Sequence, residues 1–269
     1  MNAYDPLQGY LVKVEDEIEI DFIGLQLDAQ TPIMLDQCWN TIGYPPNYEL
    51  EPWFAFEGIL EDVLIVKDEQ GRFMVPEEDF SNLENLRPGE GYQMKVCRDV
   101  ELIFPEEEQF VGNERIQDEL LHFEPEVNSS LNMSVLIKDI IRHENLGDYY
   151  SGEIAAVSED GSICGATTVD GAPPFGLAVW GTDSEAVIGS GLYAGDELRL
   201  VYWDKYLNNE FNLEPSGSQS SLRFKPDELQ VIRLTVSGSH SKTGQGFFID
   251  NIYPNPFNSS TSIVFSLQQ

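Results

Sequence analysis

Positive charge is scarce in this chain: its 269 residues carry 15 Lys and Arg against 47 Asp and Glu, a formal net charge of −32. A field of that sign repels phosphate backbones and argues against nucleic acid as a partner. Histidine is scarcer still, with only His122, His143 and His240. They fall in an acid-rich stretch, a loop and a polar stretch, none of which reads as a rigid site. No G-x-S-x-G elbow, H-E-x-x-H helix, Walker loop or complete dinucleotide fingerprint occurs. Gly89-Glu90-Gly91 and Gly189-Ser190-Gly191 lack the third glycine and read as turns. With 47 carboxylates to choose from, a pair of acids does not identify a glycosidase. The expectation is a chain that is not an enzyme, with no catalytic residues to name.

Cysteine is also sparse. Cys38, Cys97 and Cys164 are too few for a disulfide scaffold and match no zinc spacing. Either all three are small buried hydrophobes, or Cys38 and Cys97 pair across neighbouring strands. No apolar run approaches the roughly 20 residues of a membrane helix, so no span is expected. Met1 to Leu11 lack the basic-then-apolar layout of a cleavable signal, so export by the common route would need a leader upstream.

What the chain has in quantity is acid and short apolar runs. The acid surplus serves solvation, tolerance of salt, or binding of divalent cations, and carboxylates as hard oxygen ligands favour calcium. No D-x-[DN]-x-[DN]-G loop and no acidic nine-residue repeat specifies a site, so calcium is the only cofactor left open and no metal ligand is named. Hydrophobic residues make up 41% of the chain and aromatics 11%, enough to fill globular cores.

The pattern predicts a mainly β protein: a small α+β unit over 10–105, then an antiparallel β-sandwich over 128–236. In the first, Ile18, Ile20 and Phe22 alternate with acids as in a half-buried strand. Strands are also expected at Cys38–Ile42, Val63–Lys67, Arg72–Val75, Tyr92–Val96 and Val100–Phe104. One helix is predicted after Glu51-Pro52, with Trp53, Phe56, Leu60 and Val63 at helical spacing, and a further helical turn over Asp79–Leu86. Residues 106–127 hold eight acids and one base and read as an acidic linker. The second unit has runs at Ser134–Ile141, Glu153–Val157, Ser162–Val169, Gly176–Trp180, Glu197–Trp203 and Gln230–Val236, separated by Gly, Asp and Asn turns. Residues 237–250 read as a polar linker.

Aromatics in the second unit raise a binding option. Alternation along Glu197–Trp203 puts Tyr202 with Leu198 and Leu200, and Trp203 on the opposite face. Trp203 and Trp180 are therefore the candidate platform for stacking an extracellular glycan, against the plainer reading that both are core or edge residues. Asn128, Asn132 and Asn258 head N-x-[ST] acceptor patterns.

The last residues carry a specific resemblance. Asn251-Ile252-Tyr253-Pro254-Asn255-Pro256-Phe257-Asn258, followed by Ile263, Phe265 and Leu267 in alternation, closely resembles the opening of the type IX secretion C-terminal sorting domain. Ser259 stands where that pattern has a further proline. The resemblance implies the motif Tyr253, Pro254, Asn255, Pro256, Phe257 and Asn258, a secretion-machinery partner, and a secreted or cell-surface destination. It covers the opening of the sorting domain alone, residues 251–269. A weaker likeness joins Cys38-Trp39-Asn40-Thr41-Ile42-Gly43-Tyr44 and Leu86-Arg87-Pro88-Gly89-Glu90-Gly91-Tyr92 to accessory β-rich modules of Bacteroidetes-type secreted proteins. The expected function is a non-catalytic accessory region, structural, adhesive or assembling with itself; the alternative is a carbohydrate-binding module pair beside a secreted enzyme.

Overall fold

The computed structural model describes residues 5–10, 12, 27–106, 119–125, 131–141, 150–182, 191–217, 221–240, 247–258 and 260–267. The expected strand of Ile18, Ile20 and Phe22 and the acceptor Asn128 lie outside them. The mainly β class holds, and helix is minimal.

The first unit is built on β1 (Ile33–Leu35), β2 (Cys38–Gly43), β3 (Val63–Lys67), β4 (Phe73–Val75), β5 (Phe80–Ser81), β6 (Gly91–Val96) and β7 (Val100–Leu102). Five of them form an antiparallel sheet in the order β2-β6-β3-β4-β5, and β1 pairs separately with β7. The helix expected from Pro52 shrinks to one turn, α1 (Pro52–Ala55), followed by a 3₁₀ turn over Glu57–Ile59. Glu51 caps it, its Oε2 accepting from the Phe54 N–H at 3.0 Å. The apolar spacing was correct about Phe56, which is fully buried, but Val63 begins β3. The run Val63-Leu64-Ile65-Val66, with three β-branched residues in four, outweighs a helical period of one turn. The helical turn expected over Asp79–Leu86 is likewise replaced by β5, after a 3₁₀ turn at Pro76–Glu78. Phe56, Tyr44, Met94 and Phe104 fill the core, with Tyr44 and Phe104 edge to face at 5.0 Å.

Strand β4 reads Phe-Met-Val, and all three side chains are buried. A strand with no polar face must be covered on both sides. Met74 faces the unit's own core, while Phe73 and Val75 join Ile65 and Phe80 in a cluster with Leu136 of the second unit.

The second unit contains β8 (Asn132–Ile141), β9 (Tyr150–Ser158), β10 (Ile163–Gly171), β11 (Phe175–Trp180), β12 (Glu197–Asp204), β13 (Asn209–Pro215), β14 (Leu222–Arg223) and β15 (Leu229–His240). All six expected runs are strands. The two others, β13 and β14, are too polar or too short to stand out in the sequence. Seven strands follow the order β10-β9-β12-β13-β15-β8-β11, with β14 beside β12. Every pairing is antiparallel except β15 with β8. The two core-facing layers expected of a sandwich come from one sheet that curls until its edge strands β10 and β11 approach. At Gly165 a Cβ would lie 2.0 Å from the Ala178 carbonyl oxygen, so only glycine permits that approach. The interior is filled by Met133, Ile154, Leu177, Leu200, Tyr202 and Leu234.

The polar linker expected over 237–250 is partly strand. β15 runs on to His240, paired with Glu210 to Asn212, because backbone ladders need no apolar side chains. β16 (Phe247–Asn258) then pairs with β17 (Ser260–Leu267) as a separate two-stranded sheet. No helix among the described residues is long and apolar enough to cross a membrane.

One ion pair lets acid stability be read. Arg98 grips Asp62 with both prongs, Nε to Oδ1 at 2.5 Å and Nη2 to Oδ2 at 2.9 Å. Those hydrogen bonds hold the Asp62 carboxyl below the ordinary aspartate range. A carboxyl depressed in the folded state contributes stability above its unfolded pKa, and that contribution is lost as pH falls through the folded value. Asp62→Asn is therefore expected to flatten the fall in melting temperature from about pH 4 downward, relative to the native chain. Parallel acid limbs in the two proteins would exclude this role.

Candidate functional site

Three places concentrate polar chemistry among the described residues, and the first joins the two units. Lys67 ends β3, on the strand face that carries Ile65 toward the second unit. Its side chain is 1% exposed. Its Nζ donates to Asn132 Oδ1 at 3.0 Å and lies 3.3 Å from Asp227 Oδ1, both in the second unit. The Trp39 ring sits 4.5 Å from the same nitrogen. Asp227, in the loop before β15, has a left-handed φ of 60°. Its N–H donates to the Asn132 carbonyl oxygen at 2.9 Å, which seats it against that residue. Burial pushes the Lys67 ammonium below its ordinary pKa, and the Asp227 charge opposes the shift.

Around this centre the contact is apolar and close. The turn at Gly71 (φ +79°) lies on β11: a Cβ there would meet Ala178 Cβ at 2.5 Å and the Trp180 ring at 3.0 Å. Trp180, 6% exposed, is thus an interface residue and presents no open stacking face. Asn132 is 4% exposed and bound to Lys67, so the acceptor pattern at 132–134 describes a buried amide. Lys138 pairs with Glu78 across the same contact.

The second place is the other tryptophan. The alternation placed Tyr202 inside and Trp203 on the opposite face, and so they lie. What covers Trp203 is residues 119–125, part of the stretch expected to be a solvated linker. Here a single carboxylate, Glu153 on β9, 2% exposed, accepts from three successive backbone N–H groups. Leu121 donates at 2.5 Å, His122 at 3.1 Å and Phe123 at 2.9 Å. The strap so held buries Phe123 against Ala155, Val157 and Val201, and stacks His122 on Trp203 at 4.6 Å with 7° between ring planes. His122 Nε2 is 2.8 Å from Glu210 Oε1. Trp203 is 8% exposed, so the platform expected there is occupied by the chain itself. The missed signal was Leu-Leu-His-Phe inside the acidic run.

The third place is an open cleft of about 570 Å³ at one end of the curled sheet, lined among others by Ser158, Asp160, Tyr193, Asp196, Glu197 and Arg223. Its carboxylates are largely committed to its own walls. Asp160 Oδ1 accepts from Ser158 Oγ at 2.5 Å and from the Ser162 N–H at 3.0 Å, which keeps its pKa low. Asp196 Oδ2 accepts from the Tyr193 N–H at 2.8 Å, and Glu197 pairs with Arg223. Tyr193 stands 66% exposed on the rim. No group of three or more His, Cys, Asp or Glu side chains among the described residues is placed to hold a metal, so no geometry here supports calcium.

The cysteines divide. Cys164 is buried as a small hydrophobe, whereas Cys38 on β2 and Cys97 in the bend after β6 are exposed free thiols, Cys38 being opposite Val96. The motif Tyr253 to Asn258 forms the end of β16. Its pairing with β17 breaks between Tyr253 and Asn258, where prolines 254 and 256 have no N–H to give a ladder. Compared with protein-family models, curated proteins and solved structures, the chain matches none.

Proposed function

We propose that this chain is a non-catalytic accessory region of a secreted or cell-surface protein, structural or adhesive in role, with Tyr253 to Asn258 as its address to type IX secretion machinery. The observation that supports the role is the way the two units are joined. A flexible tether would leave a polar, wet contact between them. Here Phe73, Val75, Phe80, Ile65 and Leu136 are buried together around a lysine withdrawn from water. Such a joint transmits force and holds spacing, which a stalk or assembly module needs and a catalytic cycle does not.

One observation favours the glycan-binding alternative, and it moves the site. With Trp180 and Trp203 covered, the exposed aromatic on the rim of the polar cleft is Tyr193. Pull-down of the purified chain on insoluble polysaccharides separates the two readings. The structural reading expects no saturable binding. Saturable binding lost in Tyr193→Ala would overturn it in favour of the glycan module.

A further inference from the structure

The structure assigns to Lys67, Asn132 and Asp227 a reaction of their own: an amide bond formed between the Lys67 amine and the Asn132 side chain, covalently joining the two units. This inference rests on the geometry of these three residues and not on the export reading.

Three requirements must meet at one point for an amine to displace a carboxamide nitrogen. The amine must be held against the carbonyl, it must be able to give up its proton, and a proton carrier must reach both nitrogens. The first is met because Lys67 Nζ lies 3.0 Å from Asn132 Oδ1, the oxygen bonded to the Cγ that would be attacked. Attack needs the amine to move from the oxygen onto the adjoining carbon, a displacement of about one bond length within a fixed contact, which gives the pair the advantage of an intramolecular reaction. The second is met by burial: at 1% exposure, beside Trp39, with Lys95 Nζ also over that ring at 5.7 Å, an ammonium is disfavoured. The lowered Lys67 pKa agrees with that placement. The third is met at the lysine by Asp227, whose Oδ1 is 3.3 Å from Nζ, and the hydrogen bond from the Asp227 N–H to the Asn132 carbonyl oxygen keeps the same carboxylate beside the residue that carries Nδ2. Its side chain is 44% exposed, which gives the released product a way out.

The steps balance without an oxidant or any co-reactant. Asp227 takes one proton from the Lys67 ammonium. The neutral amine attacks Asn132 Cγ, forming the Nζ–Cγ bond and a tetrahedral carbon. Asp227 protonates Nδ2, the Cγ–Nδ2 bond breaks, and ammonia leaves. The second amine proton passes to Asp227 and out to the departing ammonia. Overall an ammonium and a carboxamide become a secondary amide and an ammonium ion. The product removes the charge from the lysine in the joint, and it links β3 to β8 across 65 residues of sequence.

Intact mass spectrometry of the full purified chain tests this directly. The expected mass is lower than the sequence mass by one ammonia, about 17 Da. Proteolysis should release a branched peptide containing Lys67 and Asn132. Asp227→Ala, truncated at a half-exposed side chain, should keep the full sequence mass and yield two linear peptides. Asn132→Asp supplies a carboxyl in place of the amide, so that variant should lose water instead of ammonia. A folded native chain with the full sequence mass and linear peptides at both positions overturns the inference. So does a mass loss that persists in Asp227→Ala.

Discussion

Apart from any loss of the covalent link, Lys67→Ala is expected to lower the unfolding free energy by about 2–5 kcal/mol, the range for truncating a large buried side chain. Two losses combine. The four-carbon stem is buried beside Trp39, and truncating it opens a cavity whose walls belong to two different units. Asn132, 4% exposed, also loses the donor to its carbonyl oxygen, and an unsatisfied buried amide costs about 1–3 kcal/mol. Lys67→Met separates the two, because methionine fills much of the stem volume and donates nothing. Its cost should be near the amide term alone, about 1–3 kcal/mol. Denaturant unfolding of both variants checks the ranking. Equal midpoints for alanine and methionine would mean that stem packing contributes nothing.

Glu153→Ala is the second large effect, expected at about 2–4 kcal/mol from hydrogen bonds to a charged acceptor. One carboxylate here satisfies three backbone donors that have no secondary structure of their own to satisfy them. Without it the amides of Leu121, His122 and Phe123 must find water, and that requires the strap to leave the sheet. Hydrogen exchange at those three amides should accelerate far more than exchange in β9 or β12. Glu153→Gln keeps one acceptor oxygen and should fall between the native chain and the alanine variant. If exchange at 121–123 is unchanged in Glu153→Ala, the strap is held by Phe123 and His122 instead.

The period-2 and turn signals located all six expected strands of the second unit, since alternation and glycine punctuation are local properties. They also assigned Tyr202 and Trp203 to opposite faces from the seven-residue alternation of Glu197–Trp203. They overestimated helix at Pro52 and over Asp79–Leu86, where a helical spacing of one or two turns competed with β-branched neighbours and lost. Polar strands were invisible for the complementary reason: β13 and the end of β15 are held by backbone pairing, which leaves no hydrophobic trace.

Counts and short-range pattern by themselves determined that this is a mainly β, strongly acidic chain that carries none of the catalytic motifs sought above, because those properties are local. Once Phe73-Met74-Val75 is a strand buried on both faces, something must cover the first sheet's outer face. What covers it, however, is Leu136, with Lys67 meeting Asn132 and Asp227, residues 65 and 160 positions further along the chain. The same holds for Trp203, correctly placed outward by alternation yet closed off by a strap from an acidic run. Which face is buried can be read from period; which distant residue does the burying follows from how the chain closes, and only the tertiary structure decides it.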